Sequence, residues 1–198
     1  MIAIVDYGMG NLRSVQKALQ YIGEEAEITS SPARLDSASH VILPGVGAFA
    51  DAIACLRKTG LDQALLRQAA SGKPLLGICL GMQLFYEASE ENGEHEGLGL
   101  LPGRITRLKA PGLKVPHMGW NTLTVRESPL FREGESPCVY FVHSYCAAGE
   151  SEFTAASCEY GEVFTASAWR GNVLATQYHP EKSGSVGLTM LRRFAEMR

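Results

Sequence analysis

The chain has 198 residues, of which 45% are hydrophobic and 20% are charged, and its formal net charge is −3. This composition is typical of a folded soluble protein, and a chain of this length can bury a core without disulfide or metal support. The slight acidity argues against a nucleic-acid-binding surface, which needs clustered positive charge.

The sequence predicts neither a membrane span nor a secretory signal. The longest apolar run, around Pro74–Leu80, is far shorter than the roughly 20 residues that cross a bilayer, and the first residues lack a basic segment. The five cysteines form no Cys-x-x-Cys pair and their number is odd, which disfavours a disulfide framework or a zinc site. We therefore expect a cytoplasmic protein without membrane attachment or bound metal.

The first half of the chain alternates short apolar strands with amphipathic helices. The predicted strands are Ile2–Val5, Ala26–Thr29, His40–Leu43 and Lys73–Ile78. The predicted helices run from Leu12 to Ile22, with Asn11 as the cap, and over Phe49–Lys58, Leu61–Ala70 and Leu80–Ser89. This alternation favours a parallel sheet with right-handed crossovers.

The second half is rich in glycine, proline and β-branched residues. Its predicted strands are Arg104–Lys109, Asn121–Val125, Cys138–His143, Phe153–Cys158, Val163–Ala168 and Val173–Tyr178. Short connections favour antiparallel pairing, and Ser183–Met197 is predicted as a closing helix. We expect one α/β domain over residues 1–198, with an open, mostly parallel sheet flanked by helices and an antiparallel extension.

A candidate nucleophile lies where a strand turns into a helix. The pattern Gly77-x-Cys79-x-Gly81 has the form of a nucleophile elbow with cysteine in place of serine. The glycines permit a sharp, strained turn that exposes Cys79. The turn also aims the backbone N–H of Leu80 at the same point, where the helix dipole favours a thiolate and a developing oxyanion. The alternative is that Cys79 is a small core residue.

A candidate base lies near the end of the last predicted strand. Pro180 favours an extended backbone at His179, and a two-residue offset places His179 and Glu181 on the same side. Glu181 can then orient the imidazole through Nδ1–H and leave Nε2 facing Cys79. A surface His-Pro-Glu turn is the alternative, but together with the elbow the pair predicts a Cys79–His179–Glu181 triad.

A second oxyanion donor is predicted in the Pro44–Gly47 segment. This glycine-rich loop follows a neighbouring strand, at the edge where open α/β sheets bind ligands. The backbone N–H of Val46 or of Gly47 is the candidate. The Gly8-x-Gly10 pair also follows a strand, but Arg13 stands where a dinucleotide-binding motif has its third glycine, so we do not predict nucleotide binding.

These motifs resemble the triad-type glutamine amidotransferases and occur in that family's chain order. The segments that carry the resemblance are Gly77–Gln83, His179–Glu181 and Pro44–Gly47. Three further segments resemble the glutaminase subunits of imidazole glycerol phosphate synthase: Asp6–Leu12, Pro116–Asn121 and Tyr140–Tyr145. Related amidotransferases often have histidine where Met82 stands, but methionine fits the histidine-pathway branch.

The resemblance implies a fold, a reaction and a substrate site. Cys79 would attack the carboxamide of L-glutamine to give a thioester and ammonia, His179 would move protons and Glu181 would orient it, with no cofactor. The positions that match the family's glutamine-binding residues are Gly47, Gln83, Glu91, Ser144 and Tyr145.

The resemblance also implies a partner, a separate (β/α)8-barrel cyclase that takes up the ammonia in a heterodimer. Asn11, Trp120 and Lys182 are the candidate interface residues, although Trp120 could instead pack internally and Lys182 could simply be exposed. Two other functions remain open from the sequence. One is a glutaminase for another synthase, such as that for pyridoxal phosphate, anthranilate or GMP, and the other is a non-catalytic flavodoxin-like binding domain.

Overall fold

One open mixed sheet contains most of the strands in the computed structural model, which describes residues 1–198. The strands before the midpoint of the chain are β1 Ile2–Val5, β2 Ala26–Thr29, β3 His40–Gly45, β4 Leu75–Cys79, β5 Tyr86–Ser89 and β6 His95–Glu96. The later strands are β7 Leu101–Arg107, β8 His117–Thr122, β9 Thr124–Val125, β10 Cys138–His143, β11 Tyr145–Ala148, β12 Thr154–Tyr160, β13 Glu162–Arg170 and β14 Val173–Thr176.

The sheet has a parallel centre and a largely antiparallel extension. Its order is β2-β1-β3-β4-β14-β13-β11-β7-β5-β6, and β12 joins the side of β13 and also pairs with β9. The pairs from β2 to β14 are parallel, whereas β14 pairs antiparallel with β13. The expected open α/β sheet with an antiparallel extension is therefore confirmed. One exception is that β5 and β7 pair in parallel.

The helices cover both faces of the parallel centre. They are α1 Leu12–Tyr21, α2 Pro32–Ser37, α3 Phe49–Thr59, α4 Leu61–Ala70, α5 Leu80–Phe85 and α6 Gly184–Ala195, with a 3-10 turn at Pro180–Lys182. Alternate residues of β1 enter different apolar clusters, Ile2 and Ile4 on the side of α1 and α6, Ala3 and Val5 on the side of α2 to α5. This is the period-two alternation of a strand buried on both faces. No helix has the length and apolar character that crossing a bilayer requires.

A two-stranded ribbon lies outside the main sheet and adjoins the site described below. Strands β8 and β10 pair antiparallel, with His117 opposite His143 and Trp120 opposite Tyr140. The predicted strand Asn121–Val125 is wrong in its bounds, because β8 begins at His117 and Leu123 separates it from β9. Leu123 is buried and its N–H bonds to the Pro137 carbonyl, so the chain changes pairing partner at that residue.

The predicted helix Leu80–Ser89 is wrong in its second half. It ends at Phe85, and Tyr86 is already extended. The carbonyls of Leu84 and Glu87 accept hydrogen bonds from Leu98 and Gly97, both at 2.8 Å. Pairing with β6 and β7 therefore overrides the local helical pattern. The structure also has four elements that the sequence did not predict: α2, β6, β11 and the 3-10 turn.

Candidate active site

Cys79 occupies a strained turn between β4 and α5, at the carboxyl end of the parallel strands. Its backbone has φ 56° and ψ −109°, in the positive-φ range that side chains with a Cβ rarely adopt. A Cβ on Gly81 would lie 1.8 Å from the Leu43 carbonyl oxygen, and one on Gly77 would lie 2.7 Å from the Gly81 carbonyl oxygen. Both positions therefore require glycine, and the turn has the form that the Gly-x-Cys-x-Gly pattern predicts.

Cys79 opens into a cavity of about 390 Å³, within the range of roughly 300–1,000 Å³ found for small-molecule sites. The thiol residue is only 7% exposed. The lining residues are Val46, Gly47, Cys79, Leu80, Gln83, Glu91, Pro116, Val142, His143, Ser144, Tyr145 and His179. The structure thus brings all the predicted oxyanion and glutamine-binding residues around Cys79, although they come from four separate chain segments.

His179 and Glu181 form a buried pair behind the cavity. The imidazole Nδ1 lies 2.8 Å from the Glu181 Oε1, and the two side chains are 2% and 1% exposed. A carboxylate can only accept here, so Nδ1 carries the proton. The predicted orienting contact is present, and it directs Nε2 away from Glu181.

The contact between His179 and Cys79 is looser than a formed hydrogen bond. The Nε2 atom of His179 is buried without a partner, while the Cys79 thiol donates to the Val142 carbonyl at 3.8 Å. Such contacts often tighten only when substrate binds. Burial alone would lower the pKa of His179, but Cys79 and Glu181 both favour the charged ring, outweigh this effect and raise the pKa to about 9. The imidazolium form that protonates a leaving amine is therefore favoured at neutral pH.

The oxyanion candidates face Cys79 from two elements. Leu80 is the first residue of α5, so its N–H is among the helix amides that have no partner within the helix. On the neighbouring strand Gly45 pairs in register with Cys79, and the loop continues through Val46 to Gly47 at φ +103°. A positive φ at Gly47 allows the backbone to turn towards the cavity. The geometry leaves Val46 and Gly47 both as candidate second donors.

Gln83 and Glu91 are tied into the cavity wall. The Gln83 Nε2 donates to the Tyr145 carbonyl at 2.9 Å and to the Gln177 Oε1 at 3.1 Å. The Glu91 carboxylate accepts from the Phe49 N–H at 2.8 Å, at the start of α3. A negative charge at a helix N-terminus is stabilised by the helix dipole. Both side chains are therefore held in place before any ligand binds.

Gln177 is a site residue that the sequence analysis missed. It is fully buried beyond the end of β14, and its Nε2 donates to the Cys79 sulfur at 3.8 Å. Its position two residues before His179 is the signal that could have found it, because alternate residues of an extended segment share a face. His143 was also missed, although it too lines the cavity.

The candidate interface residues lie outside the cavity. Trp120 is 57% exposed and contacts the Tyr140 ring edge-on at 6.0 Å, so the alternative that it packs internally is wrong. Lys182 is exposed and follows Glu181 in the 3-10 turn. Asn11 is at the capping position of α1, but its Oδ1 accepts from the Ser14 hydroxyl instead of a helix N–H.

The other four cysteines lie outside the cavity lining. Cys146 and Cys158 are buried in the apolar core. Burial raises the pKa of both thiols to about 12. Only Cys79 therefore combines access to the cavity with a neighbouring histidine.

Comparison with known proteins relates the whole chain to one family. Residues 3–197 match the model of class-I glutamine amidotransferases. The chain is 51% identical over 200 residues to the "Imidazole glycerol phosphate synthase subunit HisH" of Oceanobacillus iheyensis, covering 100% of this chain and 99% of that protein. It is 50% identical over 200 residues to the protein of the same name in Methanosarcina acetivorans, covering 99% and 98%.

Solved structures show the same fold at low sequence identity. A crystal structure described as a glutamine amidotransferase has a TM-score of 0.78 at 23% identity, with 99% of this chain and 98% of that chain covered. The structure of PurLQS from Thermotoga maritima has a TM-score of 0.79 at 21% identity, with 98% and 96% covered. At these identities the likeness concerns the fold alone.

Proposed function

This chain belongs to the class-I glutamine amidotransferases, and from that premise we propose that Cys79, His179 and Glu181 are the triad with which it hydrolyses L-glutamine to glutamate and ammonia. The observation that carries the proposal is the strained Cys79 in a cavity that also receives His179, with Glu181 bonded behind the imidazole at 2.8 Å. The triad needs no cofactor for this chemistry.

The first half of the reaction forms an acyl-enzyme. The Cys79 thiolate attacks the carboxamide carbon, a C–S bond forms and the carbonyl oxygen becomes negatively charged. The Leu80 N–H and an N–H of Val46 or Gly47 stabilise that charge. The tetrahedral intermediate then collapses, the C–N bond breaks, and the His179 imidazolium donates its Nε2 proton so that ammonia leaves.

The second half returns the free enzyme. The neutral His179 accepts a proton from water, which attacks the thioester carbonyl through the same oxyanion site. The C–S bond breaks and glutamate leaves, which restores the Cys79 thiolate beside the His179 imidazolium. Glu181 holds a proton on Nδ1 in both states of the ring and stabilises the imidazolium, without accepting the proton itself.

Glutamine is held by residues that surround Cys79 in the cavity. Its α-amino group needs acceptors, which Glu91 and the Gln83 side chain supply, and its α-carboxylate needs donors. Gly47 lets the backbone approach the substrate, and Ser144 and Tyr145 complete the lining of the same cavity.

Imidazole glycerol phosphate synthase uses the ammonia as its nitrogen source. The chain works as the glutaminase subunit of that synthase, in histidine biosynthesis, rather than as the glutaminase of another synthase or as a flavodoxin-like binding domain. We propose that its partner is a separate (β/α)8-barrel cyclase in a cytoplasmic heterodimer, and that residues 1–198 form one glutaminase domain. Five free cysteines agree with a reducing compartment.

The partner docks around the mouth of the cavity, since ammonia that reaches bulk water is protonated and loses its nucleophilic lone pair. Trp120 is the proposed anchor, because aromatic residues that become buried on binding often dominate the binding energy. Tyr140, whose ring contacts Trp120, accepts through its carbonyl from the His179 N–H at 3.0 Å. The Lys182 N–H likewise bonds to the His179 carbonyl at 3.0 Å. Docking at Trp120 and Lys182 thus reaches His179 through Tyr140 and through one backbone bond at each position, and Asn11 is the third proposed contact.

Glutamate release tests the proposal. The chain should release glutamate from glutamine when mixed with the cyclase of the same organism, and the same mixture should consume glutamine in step with imidazole glycerol phosphate formation. A Cys138→Ala variant should behave like the parent. Two results would overturn the proposal. One is glutamate release that depends on a GMP or anthranilate synthase subunit instead, and the other is release that continues when the Cys79 thiol is removed.

A further inference from the structure

A chain of hydrogen bonds leads from the β8–β10 ribbon to the wall of the cavity. The His117 Nδ1 lies 3.1 Å from the His143 Nε2, and the His143 Nδ1 lies 3.0 Å from the Tyr145 carbonyl oxygen. At its outer end, Asn121 Nδ2 lies 3.5 Å from His117 Nε2 and donates to the Glu159 carbonyl at 3.0 Å. His143 and Tyr145 line the cavity, whereas His117 does not.

The partners determine which atom is the donor in each of these hydrogen bonds. The Tyr145 carbonyl can only accept, so His143 must carry its proton on Nδ1. Burial lowers the pKa of His143 to about 3 and that of His117 to about 4, so both rings are neutral. The His143 Nε2 is therefore an acceptor and His117 must donate from its own Nδ1. The Asn121 amide then faces the bare Nε2 of His117.

Aromatic packing holds His117 in this orientation. Its ring stacks on Tyr160 with centroids 3.9 Å apart and on Phe141 with centroids 4.6 Å apart, at interplanar angles of 16° and 22°. His117 is 2% exposed and lies directly opposite His143 in the ribbon. The two stacks therefore fix the plane of the His117 ring, and the bond to His143 selects the edge that faces His143.

The chain of hydrogen bonds ends on the Tyr145 carbonyl oxygen, which already has a second partner. The Tyr145 carbonyl also accepts from the Gln83 Nε2 at 2.9 Å. A carbonyl oxygen has two lone pairs, so His143 and Gln83 together saturate it. Loss of either donor would leave this part-buried acceptor with one bond and weaken the hold on the segment.

We propose that His117 is a positioning residue for the glutamine site: it donates to His143, fixes that ring on the Tyr145 carbonyl, and so holds the Ser144–Tyr145 wall and Gln83 in place for the substrate. The inference rests on the proposed glutaminase function. His117 touches neither the substrate nor the triad in this account, so its loss should weaken substrate binding more than the chemical steps.

Two substitutions separate the hydrogen bond from the packing. His117→Phe keeps an aromatic ring between Tyr160 and Phe141 but removes the donor. His117→Asn loses the stack but places an amide N–H near the position of Nδ1. His40→Phe is the control, since His40 is also a buried histidine, yet it bonds to Ser39 and the Met197 carbonyl, outside the cavity.

Steady-state kinetics with the cognate cyclase give the first readout. We expect His117→Phe to raise the KM for glutamine about tenfold, the effect of one lost hydrogen bond, with kcat changed less than about threefold. His117→Asn should recover most of the KM, and His40→Phe should match the parent. An unchanged KM in His117→Phe, or equal damage in His117→Asn, would overturn the inference. A parent protein that releases no glutamate would instead overturn the proposed function.

Nitrogen-15 NMR of the unsubstituted protein gives a readout that needs neither a variant nor activity. At neutral pH, His117 and His143 should both be neutral with the proton on Nδ1. A proton on Nε2 of His143, or a charged ring at either position, would contradict the proposed chain of hydrogen bonds. This readout remains valid even if His117→Phe fails to fold.

Discussion

His179 lies between a thiol and a carboxylate, and its titration should limit activity at high pH. Its pKa is raised to about 9, so the imidazolium that protonates the leaving amine is present at neutral pH and is lost as the pH rises through about 9. Glu181→Gln removes one of the two negative partners that raise this pKa. The alkaline limb of kcat/KM should therefore move to lower pH, and the loss of activity should be smaller than in His179→Ala.

The pH–rate profile of the complex checks this prediction. Glu135→Gln is a suitable control, because Glu135 pairs with Arg193 and does not line the cavity. It should leave the alkaline limb in place. An alkaline limb that is the same in Glu181→Gln and in the parent would remove Glu181 from the mechanism.

Gln177 should tune the reactivity of the Cys79 sulfur. Its amide donates to that sulfur at 3.8 Å, and a donor stabilises a thiolate. Gln177→Leu should therefore slow alkylation of Cys79 by iodoacetamide at neutral pH about tenfold, the effect of one hydrogen bond to a charged group. Gln68→Leu is the matched control, since Gln68 is also buried but bonds to Asp36 in another part of the fold. Equal alkylation rates in both variants would show that Gln177 only fills space.

At the residue scale, the sequence predicted the groups whose chemistry shows in a local pattern. Cys79 was marked by its glycines, and Glu181 by its two-residue offset from His179. The two-residue offset of Gln177 from His179 was overlooked, whereas His117 and His143 carry no such pattern. Their roles depend on which strands pair, since the register of β8 with β10 alone places His117 opposite His143.

At the scale of elements, the turn from β4 into α5 should tolerate no side chain at Gly81. A Cβ there would meet the Leu43 carbonyl oxygen of β3 at 1.8 Å, so β3 and α5 would have to separate. Gly81→Ala should lower the free energy of unfolding by more than about 3 kcal/mol or prevent folding. Gly60→Ala should cost only about 1 kcal/mol, the penalty of φ +69° with no atom near the new Cβ. Urea unfolding of both variants tests this, and similar midpoints would contradict the close approach.

Elements with a long local pattern were predicted well, and those that depend on distant partners were not. The helical spacing of apolar residues in α1 and the continuous apolar run of β1 are local signals. The strand β5 was read as helix because its pairing with β7 comes from residues more than ten positions away in the chain. The helix α2 was missed because only Leu35 in it is buried, which leaves no apolar period to detect.

For the whole molecule, the docking surface should lie around the cavity, at the carboxyl ends of the parallel strands. Trp120→Ala should weaken binding of the cyclase, and Lys182→Ala should reduce stimulation of glutamate release by the bound cyclase. Trp169→Ala is the matched control. Trp169 is 39% exposed and pairs with Leu174 near the start of β14, at the edge opposite the cavity. Calorimetric titration with the cyclase and a stimulation assay measure the two effects separately. If Trp120→Ala and Lys182→Ala behaved like Trp169→Ala in both, the interface would lie elsewhere.

Ammonia supply by Cys79 is the central claim, and Cys79→Ala in the reconstituted synthase tests it most directly. The synthase reaction is measured once with glutamine and once with an ammonium salt. The account predicts that Cys79→Ala abolishes the glutamine-dependent reaction and leaves the ammonium-dependent reaction intact, while Cys138→Ala affects neither. Glutamine-dependent turnover that largely survived in Cys79→Ala would contradict the assignment of the nucleophile.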